Sequence, residues 1–97
     1  MRTAALTADL HARLQVEGDF EVWVSRPKRT LHTVVTTATT LAIRRAISAD
    51  EMEEILKTVY ERSVVSVARA GFGGQVERQQ RFGQLRQALT ERGLISA

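Results

Sequence analysis

The stretch from Ser48 to Gly74 constrains this chain more than any other. Ser48-Ala49-Asp50-Glu51 has the form of a capping box. In that motif the serine hydroxyl accepts from the backbone N–H of the glutamate, and the carboxylate reaches back to the serine N–H. Ile47 and Met52 flank the box at the positions of a hydrophobic staple. Behind the cap, Met52, Ile55, Leu56, Val59, Tyr60, Val64 and Val67 recur at helical spacing and fall on one stripe. Asp50, Glu51, Glu53 and Glu54 crowd the first turns, where the helix dipole favours anions, and Arg62 and Arg69 lie toward the other end. Gly71 can take the left-handed conformation that stops a helix. Start, face and stop together predict a helix over residues 49–70, about 33 Å long at 1.5 Å per residue. Its run Ser63-Val64-Val65-Ser66-Val67 is a poor helix former and must be held by packing.

The segment before the box reads two ways. Leu31, Val34, Val35, Ala38, Leu41, Ala42, Arg45 and Ala46 form a helical stripe with Thr30 as N-cap. Against this, Leu31, Thr33, Val35, Thr37, Thr39, Leu41 and Ile43 alternate, and six threonines between residues 30 and 40 favour a strand. The stripe of alanines and leucines decides for a helix to about residue 47. It would pair with the next helix in a hairpin that turns at Ile47-Ser48.

Near the N-terminus, Ala5, Leu6, Leu10, Arg13 and Leu14 suit a helix over about 4–13, capped by Thr3 or Thr7. Leu14, Val16, the turn-like Glu17-Gly18-Asp19, then Phe20, Val22 and Val24 alternate as a hairpin would. Trp23 then falls on the opposite face from Phe20, Val22 and Val24. Pro27 ends this element and biases Arg26 to extended backbone. After the corner Phe72-Gly73-Gly74, the stretch Gln75–Arg92 reads as a helix with Val76, Phe82, Leu85, Ala88 and Leu89 on one side. Gly83 weakens it, Gly93 stops it, and Leu94-Ile95 fold back. The expected fold is mainly α: one small helical domain over residues 1–97, with three to four helices and a short β-hairpin or strand near residues 14–25.

The 97 residues contain no cysteine, which excludes a disulfide scaffold and a thiol nucleophile. The longest uncharged stretch near the middle, Leu31–Ile43, is too short and too polar to cross a bilayer. The N-terminus lacks the apolar core of a secretion signal, so the expectation is a soluble, cytoplasmic protein with no membrane partner. Charge is laid out in blocks. Residues 26–47 hold Arg26, Lys28, Arg29, Arg44 and Arg45 with no carboxylate, whereas residues 48–61 hold five acids against Lys57.

No segment carries a catalytic pattern. Gly71-Phe72-Gly73-Gly74 has neither the preceding strand nor the following lysine of a phosphate loop. His11 and His32 lack nearby partners for metal or acid–base work, and capping with dipole complementation accounts for the carboxylates at 50–54. The expectation is therefore no enzyme, no cofactor and no metal. Arg26, Lys28 and Arg29 beside Trp23, together with Arg44 and Arg45, are the candidate site, a cationic face for nucleic-acid phosphates. Arg78, Arg81, Arg86 and Arg92 would form a second basic row. The alternative is a subunit of a homo- or hetero-oligomeric assembly, in which the acidic block of one chain docks on the basic block of another.

Overall fold

The computed structural model describes the backbone of residues 2–96 except Pro27 and Gly71, and the side chains of residues 8–26, 28–63 and 74–96. Four helices follow in order: α1 (Arg2–Ser25), α2 (Leu31–Arg45), α3 (Ala49–Ala70) and α4 (Phe72–Glu91). No strand occurs among the described residues.

The expected hairpin at 14–25 is instead the second half of α1, which runs through Glu17-Gly18-Asp19 without a break. The side chains show why. Phe20, Trp23 and Val24 are buried together with Ala12 and Val16, while Val22 is 51% exposed. Residues 12, 16, 20, 23 and 24 share a helical face, whereas a strand would have placed Val22 with Phe20 and Val24. A glycine inside a helix costs about 1 kcal/mol relative to alanine. Burying residues the size of Phe20 and Trp23 contributes about 2–3 kcal/mol each, so packing outweighs the local turn signal.

The capping box forms as expected. The Glu51 N–H donates to Ser48 Oγ at 3.1 Å, and the Ser48 N–H donates to Glu51 Oε1 at 3.4 Å. Met52, Ile55, Leu56 and Val59 line the core, and Ile47 packs against them, as a staple requires. The helical backbone of α3 continues through residues 63–67 to Ala70, whereas the Val64 and Val67 side chains and the Gly71 stop lie outside the described residues. The expected caps at Thr3 or Thr7 are not the start of α1, which already begins at Arg2 and carries both residues within its helical backbone.

The segment after Thr30 is a helix. Thr30 is extended (φ −71°, ψ 154°) and its hydroxyl accepts from the Thr33 N–H at 3.2 Å. Val34, Val35, Ala38 and Ala42 face the core, and the stripe prevails over the alternation. The helix ends at Arg45, with Ala46 left-handed (φ 52°, ψ 44°) and the Ile47 N–H donating to the Ala42 carbonyl at 3.1 Å. The end of α4 has the same construction: Gly93 is left-handed (φ 72°) and the Leu94 N–H donates to the Leu89 carbonyl at 2.9 Å. Leu94 and Ile95 then fold back onto the core.

The helices do not pack in the order of the chain. α1 touches the other three, α3 pairs with α4, and α2 also meets α4, but among the described residues α2 and α3 do not pack along each other. The expected α2–α3 hairpin is therefore a corner between two helices that both lean on α1. Ion pairs give the directions. Arg13 with Glu51 near one end, and Glu17 and Glu21 with Arg62 further along, make α1 and α3 run the same way. Glu53 with Arg86, and Tyr60 with Phe82, make α3 and α4 antiparallel.

Two helix stops of one design, one with glycine and one with alanine, should respond oppositely to exchange. Ala46→Gly is expected to raise stability by about 0.5–1 kcal/mol, and Gly93→Ala to lower it by about 1 kcal/mol, because only glycine takes positive φ without steric cost. Leu56→Ala should cost about 2–5 kcal/mol through its cavity, and Ser48→Ala about 1 kcal/mol through loss of the cap. Urea unfolding followed by circular dichroism checks all four. A destabilised Ala46→Gly variant would contradict the reading of that corner.

Candidate functional site

The candidate cations divide between the two ends of α2. At its start, the Arg26 N–H still donates to the Val22 carbonyl at 2.7 Å as α1 ends, and the Lys28 N–H donates to the Arg26 carbonyl at 2.7 Å in a tight turn. Arg26, Lys28 and Arg29 are exposed on this connector. At the other end, Arg44 and Arg45 occupy the last turn of α2 and are also exposed. A helix of 15 residues separates the clusters, about 22 Å at 1.5 Å per residue.

Two details differ from the sequence reading. Trp23 is buried in the core and offers no aromatic surface to the connector. Arg29 has a carboxylate after all, because α1 being helical to Ser25 brings Asp19 back beside the connector, 3.3 Å from the guanidinium. Among the described residues, Arg26, Lys28, Arg44 and Arg45 make no ion pair. Arg44 and Arg45 also lie where the negative end of the α2 dipole favours cations, which stabilises the helix with or without a ligand.

Between the clusters, α2 carries Thr33, Thr36, Thr40 and Ile43 on its exposed side and no acid. The hydroxyls of Thr37, Thr39 and Thr40 donate to the carbonyls of Thr33, Val35 and Thr36 at 3.1, 2.7 and 3.0 Å. This back-bonding reconciles a threonine-rich segment with a helix, since each side chain supplies a local partner inside the helical geometry.

The expected second basic row does not exist as a free face. Arg78 is 4% exposed, donates through Nε to Ser63 Oγ at 2.6 Å and through Nη2 to the Tyr60 carbonyl at 3.0 Å, and lies 4.0 Å from the Tyr60 ring centre. Arg81 donates to the Val24 carbonyl and to Glu77. Arg86 forms a two-point contact with Glu53 at 2.6 and 3.1 Å. The Glu53 hydrogen bond holds the Arg86 guanidinium above its usual range. A raised arginine pKa adds stability that is present at every lower pH and is lost only as pH rises through the folded value, far above neutrality. Both side chains are about half exposed, so solvent keeps the gain small. Arg92 Nη2 lies 3.2 Å from His32 Nδ1, and this is where one of the two histidines is engaged. The acidic block is likewise used within the chain, through Glu51 with Arg13 and Glu53 with Arg86.

Arg78 was the residue that sequence reasoning misplaced. Its signal was present: residues 78, 82, 85 and 89 are spaced 4, 3 and 4 apart, and all four are buried. Val76, placed on that stripe, is exposed. Arginine on an apolar stripe reads as an error unless its stem and its five donors are given a place to go. A groove of about 410 Å³ between α3 and α4, with Leu56, Tyr60 and Phe82 as its apolar part and Lys57 and Gln79 as its polar part, was also not anticipated. Among the described residues, no three His, Asp or Glu side chains converge as metal ligands would, and no helix is long and apolar enough to cross a membrane.

Removing the Arg78 guanidinium should loosen α3 from α4. Arg78→Ala leaves the Ser63 hydroxyl without its donor and a space beside Phe82. The expected loss is about 2–4 kcal/mol in urea unfolding. Arg78→Lys retains the charge but not the two-point geometry, and should recover less than half of that. Full recovery by lysine would show that the charge alone matters.

Compared with known protein families, curated proteins and solved structures, the chain matches none.

Proposed function

We propose that this protein is a non-enzymatic nucleic-acid-binding module that uses the two ends of α2 to hold backbone phosphates. One observation carries the reading. Residues 26–47 contain no carboxylate, and four exposed cations without ion pairs among the described residues stand at the ends of one rigid rod. The remaining arginines with described side chains have partners inside the fold, and Lys57, which also makes no ion pair, stands alone on α3, so most of the unpaired positive charge among the described side chains gathers at the ends of α2.

The geometry suits contacts that position a protein without reading bases. Two cationic points about 22 Å apart can reach separate phosphates on one duplex. Arginine and lysine on phosphates supply affinity with little sequence preference. Arg29, already beside Asp19, contributes less than its neighbours.

Duplex binding followed by fluorescence anisotropy over a salt series tests this. Four contacts predict a slope of log affinity against log salt of about −3.6, at about 0.9 per phosphate. Arg44→Ala with Arg45→Ala should flatten the slope by about 1.8 and weaken binding to unrelated sequences equally. Arg29→Ala should have a smaller effect than Lys28→Ala. Absence of duplex binding by the unaltered chain at low salt would end the proposal, as would a slope indifferent to the α2 substitutions.

A further inference from the structure

The groove between α3 and α4 has a volume of about 410 Å³, within the range of about 300–1,000 Å³ that small-molecule clefts occupy. It reaches the core at its base: Leu56 is 2% and Phe82 6% exposed, and both line it. Tyr60 forms an apolar wall and meets Phe82 edge to face, with ring centres 5.0 Å apart. Arg78 lies over the Tyr60 ring and is itself bonded to Ser63 and to the Tyr60 carbonyl, so the wall is fixed before anything enters. A preformed apolar surface spares a ligand the ordering cost of making one.

The charges of the groove are few and unequal. Two cations and one carboxylate line it, which leaves one net positive charge. Glu53 and Arg86 are spent on each other, through both carboxylate oxygens and the arginine fork. Lys57 is the lining ion that makes no ion pair among the described residues. The Glu53–Arg86 and Ser63–Arg78 contacts set an antiparallel register in which Lys57 stands across from Gly83, where α4 has no side chain to fill the space. One turn back on α4, the Gln79 amide supplies a neutral donor. Glu54 and Glu61 flank Lys57 on α3, exposed and without ion pairs among the described residues. They hold down the local positive potential, which suits a single negative charge and not a dianion. A phosphate would also favour an arginine fork, and the Arg86 fork is committed to Glu53.

We propose that this groove binds a small monocarboxylic acid with an aromatic or compact aliphatic body. The body rests on Leu56, Tyr60 and Phe82, and the carboxylate meets the Lys57 ammonium across from Gly83. An apolar slot with one cation at its rim holds such a molecule by area and selects it by charge. The site shares no residue with the two ends of α2, so it is independent of nucleic-acid binding.

Titration of the full chain with hydrocinnamate, followed by nitrogen–proton correlation NMR, tests the proposal. Its neutral amide and phenylpropylamine, the cation of similar shape, are the controls. The acid should shift the amide signals of residues 53–60 and 79–86, which bound the groove. The expected dissociation constant is about 1 mM or tighter for a ligand of this size. The amide should bind about three- to five-fold more weakly, as loss of a partly exposed ion pair implies, and the amine more weakly still. Lys57→Gln alters an exposed side chain, so it should weaken the acid by that same factor and leave the amide unchanged. A Cβ on Gly83 meets nothing within 4 Å, so Gly83→Leu should keep the helical circular dichroism and, by filling the groove, abolish binding of acid and amide alike. Arg44→Ala with Arg45→Ala should change neither. Absence of shifts at about 10 mM acid overturns the proposal. So does equal binding of acid, amide and amine, acid binding indifferent to Lys57→Gln, or binding that persists in a folded Gly83→Leu chain.

Discussion

Burial of one stripe of α1 organises the molecule. Val16, Phe20, Trp23 and Val24 project from a single helical face into a core shared with α2, α3 and α4. Among the described residues α2 and α3 do not pack along each other, and they are joined through α1, with α4 touching both as well. The polar contacts around the stripe reinforce that role. Arg62 of α3 reaches Glu17 and Glu21, and Arg81 of α4 donates to the Val24 carbonyl, one of the groups that the last turn of a helix leaves without an internal partner. Long-range contacts thus complete the α1 C-terminus, with the neighbouring helix supplying part of the cap.

The second organising contact is a cation placed where a hydrocarbon would be expected. Arg78 lies between Tyr60 and Phe82 and binds a hydroxyl and a carbonyl. Ser63 in turn donates to the Tyr60 carbonyl at 2.7 Å, so the arginine closes a small network on the α3 backbone. Stacking of a guanidinium on aromatic faces and well-directed hydrogen bonds offset its desolvation. This makes much of the arginine content of the chain structural. Arg13, Arg29, Arg62, Arg78, Arg81, Arg86 and Arg92 all have partners within the chain. Among the described residues, Arg26, Lys28, Arg44, Arg45 and Lys57 are the exposed lysines and arginines for which no partner is found within the chain.

The parts of the fold legible in the sequence were those determined within a few residues. The capping box at Ser48, the Thr30 cap with its alanine–leucine stripe, and the return of Leu94-Ile95 after Gly93 depend on short-range geometry, and each is found. The hairpin at 14–25 failed because Glu17-Gly18-Asp19 carries a genuine local preference for a turn that distant packing overrides. Arg78 and the Asp19–Arg29 pair were missed for a related reason. Each joins residues on different elements, and neither partner announces the other along the chain. For the site, the positions of the five cations relative to α2 were legible, because helix length converts directly to distance. Which of them stay unpaired was not, because that depends on where α1 ends.

The threonines of α2 bear on how any partner meets this surface. Thr37, Thr39 and Thr40 have spent their only hydrogen on the carbonyls one turn back. To an approaching molecule these three side chains therefore present methyl groups and lone pairs, and the exposed Thr36 hydroxyl is left as a donor in the middle of α2. An ionised phosphate, itself only an acceptor, finds few partners there. Water, which can give hydrogen to both sides, is the natural filling. On the proposed reading, a strand held at the two cationic ends would arch over a hydrated gap between two footings.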